Sequence, residues 1–133
     1  MARILVIDDH APLRLLIRQT LEEHTHVVTD AADGEIGLAV LETFAADLVI
    51  TDILMPNRDG IETIRTIRRH WPRVKLLAMS GWQGKYGLDF LTYALDFGAH
   101  GILPKPFGAR DLLLAVNTVV GKTAENHAAV EQL

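Results

Sequence analysis

The stretch Ile4–Leu5–Val6–Ile7–Asp8–Asp9 sets four consecutive large apolar residues directly before two carboxylates. Continuous apolarity, as opposed to alternation, suits a strand covered on both faces, as in a parallel sheet between helical layers. Further runs stand at Leu48–Val49–Ile50 and Leu76–Leu77–Ala78–Met79, with weaker ones at His26–Val27–Val28 and Gly101–Ile102–Leu103. Helical periodicity fills the intervals. Leu13, Leu16, Ile17 and Leu21 form one stripe, and Ile36, Ala39, Val40 and Phe44 a second. Ile61, Ile64, Ile67 and Trp71 form a third, Leu88, Leu91, Ala94 and Leu95 a fourth, and Leu112, Ala115, Val116 and Val119 a fifth. Each stripe reads as a face packed on the sheet. Five strands, each followed by a helix, predict an α/β doubly wound sandwich.

The punctuation fits this alternation. Pro12 suits the first turn of the first helix, and Asp33–Gly34 opens the second after a turn. Asp59 is the expected N-cap of the third helix, while Gly98 and Gly121 suit C-terminal stops. A length of 133 residues allows one domain of ordinary size, and 49% hydrophobic with 23% charged residues is a globular balance. The longest apolar runs fall far short of the ~20 residues of a membrane span, and no export signal opens the chain. Zero cysteines exclude disulfides and zinc–thiolate sites and suit a reducing cytoplasm. A net charge of −4 argues against direct nucleic-acid binding.

In an open parallel sheet, ligands bind beyond the carboxyl ends of the strands. Asp8 and Asp9 follow the first run, Asp52 follows the third, Ser80 ends the fourth and Lys105 lies just past the fifth. Three converging carboxylates repel one another unless a cation holds them. Oxygen ligands without cysteine or a histidine pair select Mg²⁺ or a similar ion such as Mn²⁺. Lysine and hydroxyl donors facing a metal-bound carboxylate suit phosphoryl oxygens. The set therefore predicts magnesium-assisted phosphoryl transfer with an aspartate as nucleophile.

With these residues in place, the sequence resembles the receiver domains of two-component response regulators. The resemblance rests on Ile4–Leu5–Val6–Ile7–Asp8–Asp9, Asp52–Ile53–Leu54–Met55–Pro56, Asp59–Gly60, Ser80–Gly81 and Lys105–Pro106–Phe107, in that order. It implies a flavodoxin-like (βα)5 fold with a five-stranded parallel sheet in order 2-1-3-4-5. It also implies that Asp52 accepts a phosphoryl group from a histidine kinase or histidine phosphotransfer protein. Asp9, Asp52 and the backbone carbonyl of Leu54 would ligate Mg²⁺, with Asp8 assisting. Ser80 and Lys105 would each bond a phosphoryl oxygen, and the Lys105–Pro106 bond is commonly cis in the family. The added phosphoryl charge would draw both loops inward and bias an existing equilibrium, which takes roughly 5 kcal/mol of differential stabilisation.

The chain departs from the family pattern in two places. Receivers usually carry an aromatic residue three positions before the lysine, and here that position is Ile102. Against the family pattern, the loop Ser80–Gly81–Trp82–Gln83–Gly84–Lys85–Tyr86–Gly87 looks about three residues longer than usual. Its Trp82 and Tyr86 either take over part of the output surface or pack down as part of a longer connection.

Other features carry less. Gly121–Lys122–Thr123 looks like the end of a phosphate-binding loop, but Val116 stands where its first glycine belongs. The basic stretch Arg58, Arg65, Arg68, Arg69, Arg73 and Lys75 reads as a solvated face. A phosphohydrolase of the haloacid dehalogenase type also forms an aspartyl phosphate. It needs a second aspartate where Leu54 stands. The expectation is a stand-alone receiver over residues 1–121 with a short polar tail over 122–133. It would catalyse only its own phosphorylation and dephosphorylation, and would signal in the cytoplasm by protein contact, as a monomer or a phosphorylation-dependent dimer.

Overall fold

The computed structural model describes residues 1–53, 60–81 and 87–121, with the backbone alone at 87–91. Strands and helices alternate along the chain: β1 (Arg3–Ile7), α1 (Ala11–Glu23), β2 (Val27–Ala31), α2 (Gly34–Leu41), β3 (Leu48–Asp52), α3 (Gly60–His70), β4 (Lys75–Ser80), α4 (Gly87–Asp96), β5 (Gly101–Pro104) and α5 (Ala109–Val120). The strands form one parallel sheet in the order β2-β1-β3-β4-β5. The strand order therefore reverses between β1 and β3, so the crevice beyond their carboxyl ends is the expected ligand position.

The continuous apolar runs are explained by two cores, one on each face. Ile4, Val6, Ile50, Leu77 and Met79 pack with Ile17 and Leu21 of α1 and Leu112, Val116 and Val119 of α5. The alternate residues Leu5, Ile7, Val49, Leu76 and Ala78 pack with Leu41, Ile64, Ile67 and Ala94 on the opposite side. Successive side chains point to opposite faces of a strand, so burying both faces requires apolar residues at every position.

The helix boundaries follow local chemistry. Pro12 sits in the first turn of α1, where its missing N–H costs nothing. Asp33 caps α2 by accepting the Ile36 N–H at 2.9 Å. Gly98 takes φ +119° after α4, a conformation open to glycine. The expected cap Asp59 lies outside the described residues.

Three of the sequence-derived stripes need correction. Leu16 is 57% exposed and Ile36 47%, and Ala39 and Leu95 also face outward. In α2 the inward face is Gly34, Gly37 and Leu41. A Cβ at Gly37 would stand 2.9 Å from Ile7 Cγ1, so this helix packs by close backbone approach. Its stripe is set by small residues, and a reading based on large apolar ones takes the wrong phase. Leu16 turns beside Ile17 toward a concavity of about 410 Å³ that it shares with Leu13 and Phe107.

Candidate functional site

Each predicted polar residue sits at the carboxyl edge of the sheet because its strand ends there. Asp8 follows β1, Asp52 is the last residue of β3 and Ser80 the last of β4. Lys105 follows β5, and its backbone N–H donates to the Ser80 carbonyl at 2.8 Å. The Lys105–Pro106 bond is cis. Asp8 is 0% exposed, Asp52 6% and Ser80 2%, whereas Asp9 is exposed.

Burial of two carboxylates demands compensation. Lys105 supplies it, with Nζ 2.8 Å from Asp8 Oδ2 and 2.9 Å from Asp52 Oδ2. Burial alone would lower the lysine pKa. The hydrogen bonds and charges of Asp8 and Asp52 outweigh that, and the pKa lies above its ordinary value. Asp8 Oδ1 accepts the His10 N–H at 2.8 Å, and its backbone N–H donates to the Ala31 carbonyl at 3.1 Å.

Asp8, Asp9 and Asp52 each bring a carboxylate oxygen within 4.8 Å of the others. An all-oxygen donor set of this kind suits a hard divalent cation such as Mg²⁺. The acidic cluster and Lys105 thus come together as the sequence predicts, and Ser80 ends the adjacent strand with Gly81 beside the lysine stem. Leu54, Trp82 and Tyr86 lie outside the described residues. Ile102 is half-buried in β5, in register with Ala78 and packed on the core under α3 and α4.

One residue at the site escaped the sequence reading. Arg14 Nη1 donates to the Asp8 carbonyl at 2.7 Å, and its Nε lies 3.5 Å from Asp30 Oδ2. The available signal was its place beside the buried face of α1, three residues before Ile17 and seven before Leu21, where a charged side chain needs a partner. Nothing in the sequence links it to Asp30, which β1–β2 pairing brings near.

A family model described as the response regulator receiver domain matches residues 4–117. The chain is 34% identical over 122 residues to protein CcdB of Bacillus subtilis, covering 91% of this chain and 99% of that protein. It is 33% identical over 130 residues to the transcriptional regulatory protein DegU of Brevibacillus brevis, covering 96% of this chain and 54% of that protein. It therefore spans nearly all of the first relative and about half of the second. Among solved structures, the chemotaxis response regulator CheY4 of Vibrio cholerae superposes with a TM-score of 0.82 at 28% identity, covering 90% of this chain and 98% of that one.

Proposed function

The chain belongs to the response regulator receiver domain family, and from that premise we propose that it is a phosphorylation-dependent switch whose phosphoacceptor is Asp52. The observation that carries this reading is the buried Asp52 carboxylate held 2.9 Å from Lys105 Nζ, beside Asp8 and Asp9. The donor would be a phosphohistidine of a kinase or phosphotransfer protein. An Asp52 oxygen forms the new P–O bond as the P–N bond breaks, and the imidazole leaves with that electron pair. Asp9, Asp52 and the Leu54 carbonyl would hold Mg²⁺ or Mn²⁺, with Asp8 assisting. The ion would screen the negative charges that meet as the phosphoryl group arrives.

Lys105 then has a second acceptor to serve. Its ammonium, now shared by Asp8 and Asp52, would bond a phosphoryl oxygen, and the Ser80 hydroxyl another. Because the Lys105 N–H is bonded to the Ser80 carbonyl, the two loops would move together. The receiver fills residues 1–121 in this reading, with 122–133 as a polar tail, and its output is contact with a downstream protein. A relative matched over 99% of its own length supports an output carried by the receiver surface. Among the described residues no helix is long and apolar enough to cross a membrane. The reading places the switch in the cytoplasm, as a monomer or a phosphorylation-dependent dimer.

Incubation with Mg²⁺ and a small acyl phosphate, followed by intact mass measurement, tests the assignment. One phosphoryl adduct is expected, lost on chelation and lost in Asp52→Asn. An unmodified wild type, or an adduct that survives Asp52→Asn, would refute it.

A further inference from the structure

The carboxylate of Asp9 stands apart from its two partners. Asp8 is tied through both carboxylate oxygens, and Asp52 is tied to Lys105. Asp9 is exposed, and among the described residues nothing bonds its side chain. Its placement in the cluster must come from the backbone. The peptide joining Asp8 to Asp9 is planar, so fixing the Asp8 carbonyl fixes the direction in which the chain presents Asp9.

That carbonyl is held by Arg14, whose Nη1 donates to it at 2.7 Å. The guanidinium is itself anchored. Its side chain is only 19% exposed, and Nε lies 3.5 Å from Asp30 Oδ2 in β2. Arg18, one turn further along α1, reaches the other Asp30 oxygen at 3.7 Å. The next residue of β2, Ala31, accepts the Asp8 N–H. Both polar groups of the Asp8 backbone are therefore fastened to the edge strand, one directly and one through Arg14. The Nε atom is buried without a hydrogen bond, so it is kept in place by the ion pair alone.

We infer that Arg14 is a positioning residue, which orients the Asp8–Asp9 peptide and so sets the affinity of the acidic site for a divalent cation. This rests on the metal reading given above. A rival effect has the opposite sign, because a guanidinium near a cation site repels the cation. The Asp30 carboxylate offsets that charge, which leaves the orientation of the peptide as the larger effect. Residues that hold ligands from behind typically change metal affinity about 10–100-fold when removed. Arginine can hold a carbonyl and a carboxylate at once through its fork, whereas lysine has a single point of attachment.

The test is calorimetric titration of the intact chain with Mg²⁺ alone, alongside thermal melting of each variant without the ion. Arg14→Ala is expected to bind Mg²⁺ about tenfold more weakly or worse. Arg14→Lys, which keeps the charge on a single donor nitrogen, is expected to recover part of that loss and serves if the alanine variant fails to fold. Arg18→Ala, which loosens the same helix and the same Asp30 without touching Asp8, is expected to keep wild-type affinity. Wild-type or tighter binding by both Arg14 variants overturns the inference, as does an equal loss in Arg18→Ala. A wild-type chain that takes up no Mg²⁺ overturns the metal reading and this inference with it.

Discussion

Substituting Lys105→Met keeps much of the side chain's length and deletes its charge, which isolates the electrostatic part of the site. An exposed ion pair would be worth about 0–1 kcal/mol. This one is not exposed: Asp8 and Asp52 are buried and share the ammonium at 2.8 and 2.9 Å. Removing it leaves two buried carboxylates close together, a situation that costs about 3–5 kcal/mol. Proton uptake sets a ceiling on that cost, because the pair can neutralise itself by binding one proton. Near pH 7 an ordinary aspartate stands about 3 pH units above its pKa, and each unit costs about 1.4 kcal/mol. The ceiling is thus about 4 kcal/mol, in agreement with the range for broken buried pairs.

The pH dependence separates this cause from simple loss of packing. In the variant the folded state would bind a proton that the unfolded state does not, so its stability rises as pH falls. The deficit should shrink from about 4 kcal/mol near pH 7 to about 1.5 kcal/mol near pH 5. In the wild type the raised lysine pKa acts elsewhere. Its contribution is fully present below about 10.5 and is lost only as pH rises through the still higher folded value. The assay is urea denaturation of both chains between about pH 5 and pH 7, in chelator and again in millimolar Mg²⁺. Mg²⁺ should restore part of the deficit by replacing the lost charge. A deficit that is flat in pH and indifferent to Mg²⁺ would refute the reasoning, because lost packing alone behaves that way.

Two further substitutions test neighbouring parts of the argument. In Gly60→Ala the new Cβ would stand 2.5 Å from the Asp52 carbonyl oxygen and 2.9 Å from the Ile53 carbonyl carbon, backbone atoms that cannot step aside. A loss of about 1–3 kcal/mol is expected with slower acyl-phosphate labelling, and unchanged unfolding and labelling curves would contradict it. His26 has its pKa lowered, first by burial and then by the N-terminal ammonium and His24, and its Nδ1 accepts the Ala2 N–H at 3.1 Å. Its contribution is therefore whole above about 6.5 and declines as pH falls below that value. His26→Gln should lose less stability than the wild type on acidification through that range, and parallel melting curves would exclude the effect.

The fold was legible because burial on both faces leaves a mark at every strand position, as Ile4 through Ile7 show. The acidic cluster was legible because a carboxylate at the end of an apolar run is costly without a partner, and Asp8 and Asp52 both stand there. The α2 stripe was misread because Gly37 is a contact residue with no side chain, and hydrophobic periodicity cannot register it. The Arg14–Asp30 tie was missed for a different reason. It depends on β2 lying in register with β1, where Asp30 stands opposite Val6, and on α1 crossing both. Such a contact is a property of assembled elements, and neither residue signals it alone.

Charge accounting connects the site to the switch. Asp8, Asp9 and Asp52 carry three negative charges and Lys105 one positive, which leaves a net of −2 in the cluster. One divalent cation would balance it, so the donor set and the charge point to the same ligand. On the proposed reading, phosphorylation converts the Asp52 anion into a neutral acyl group bearing a dianionic phosphoryl, which raises the negative charge by about one. Lys105 is the group able to answer, because its ammonium is shared between Asp8 and Asp52 and its stem lies beside Gly81. Its backbone is tied to Ser80 by the 2.8 Å hydrogen bond, and Ile102 lies three residues before it on β5. A shift of the lysine toward the phosphoryl oxygens would therefore pull on the ends of β4 and β5 together. In this chain the pull would reach the half-buried Ile102 by displacement of the strand, since an aliphatic side chain offers no ring rotation to report it.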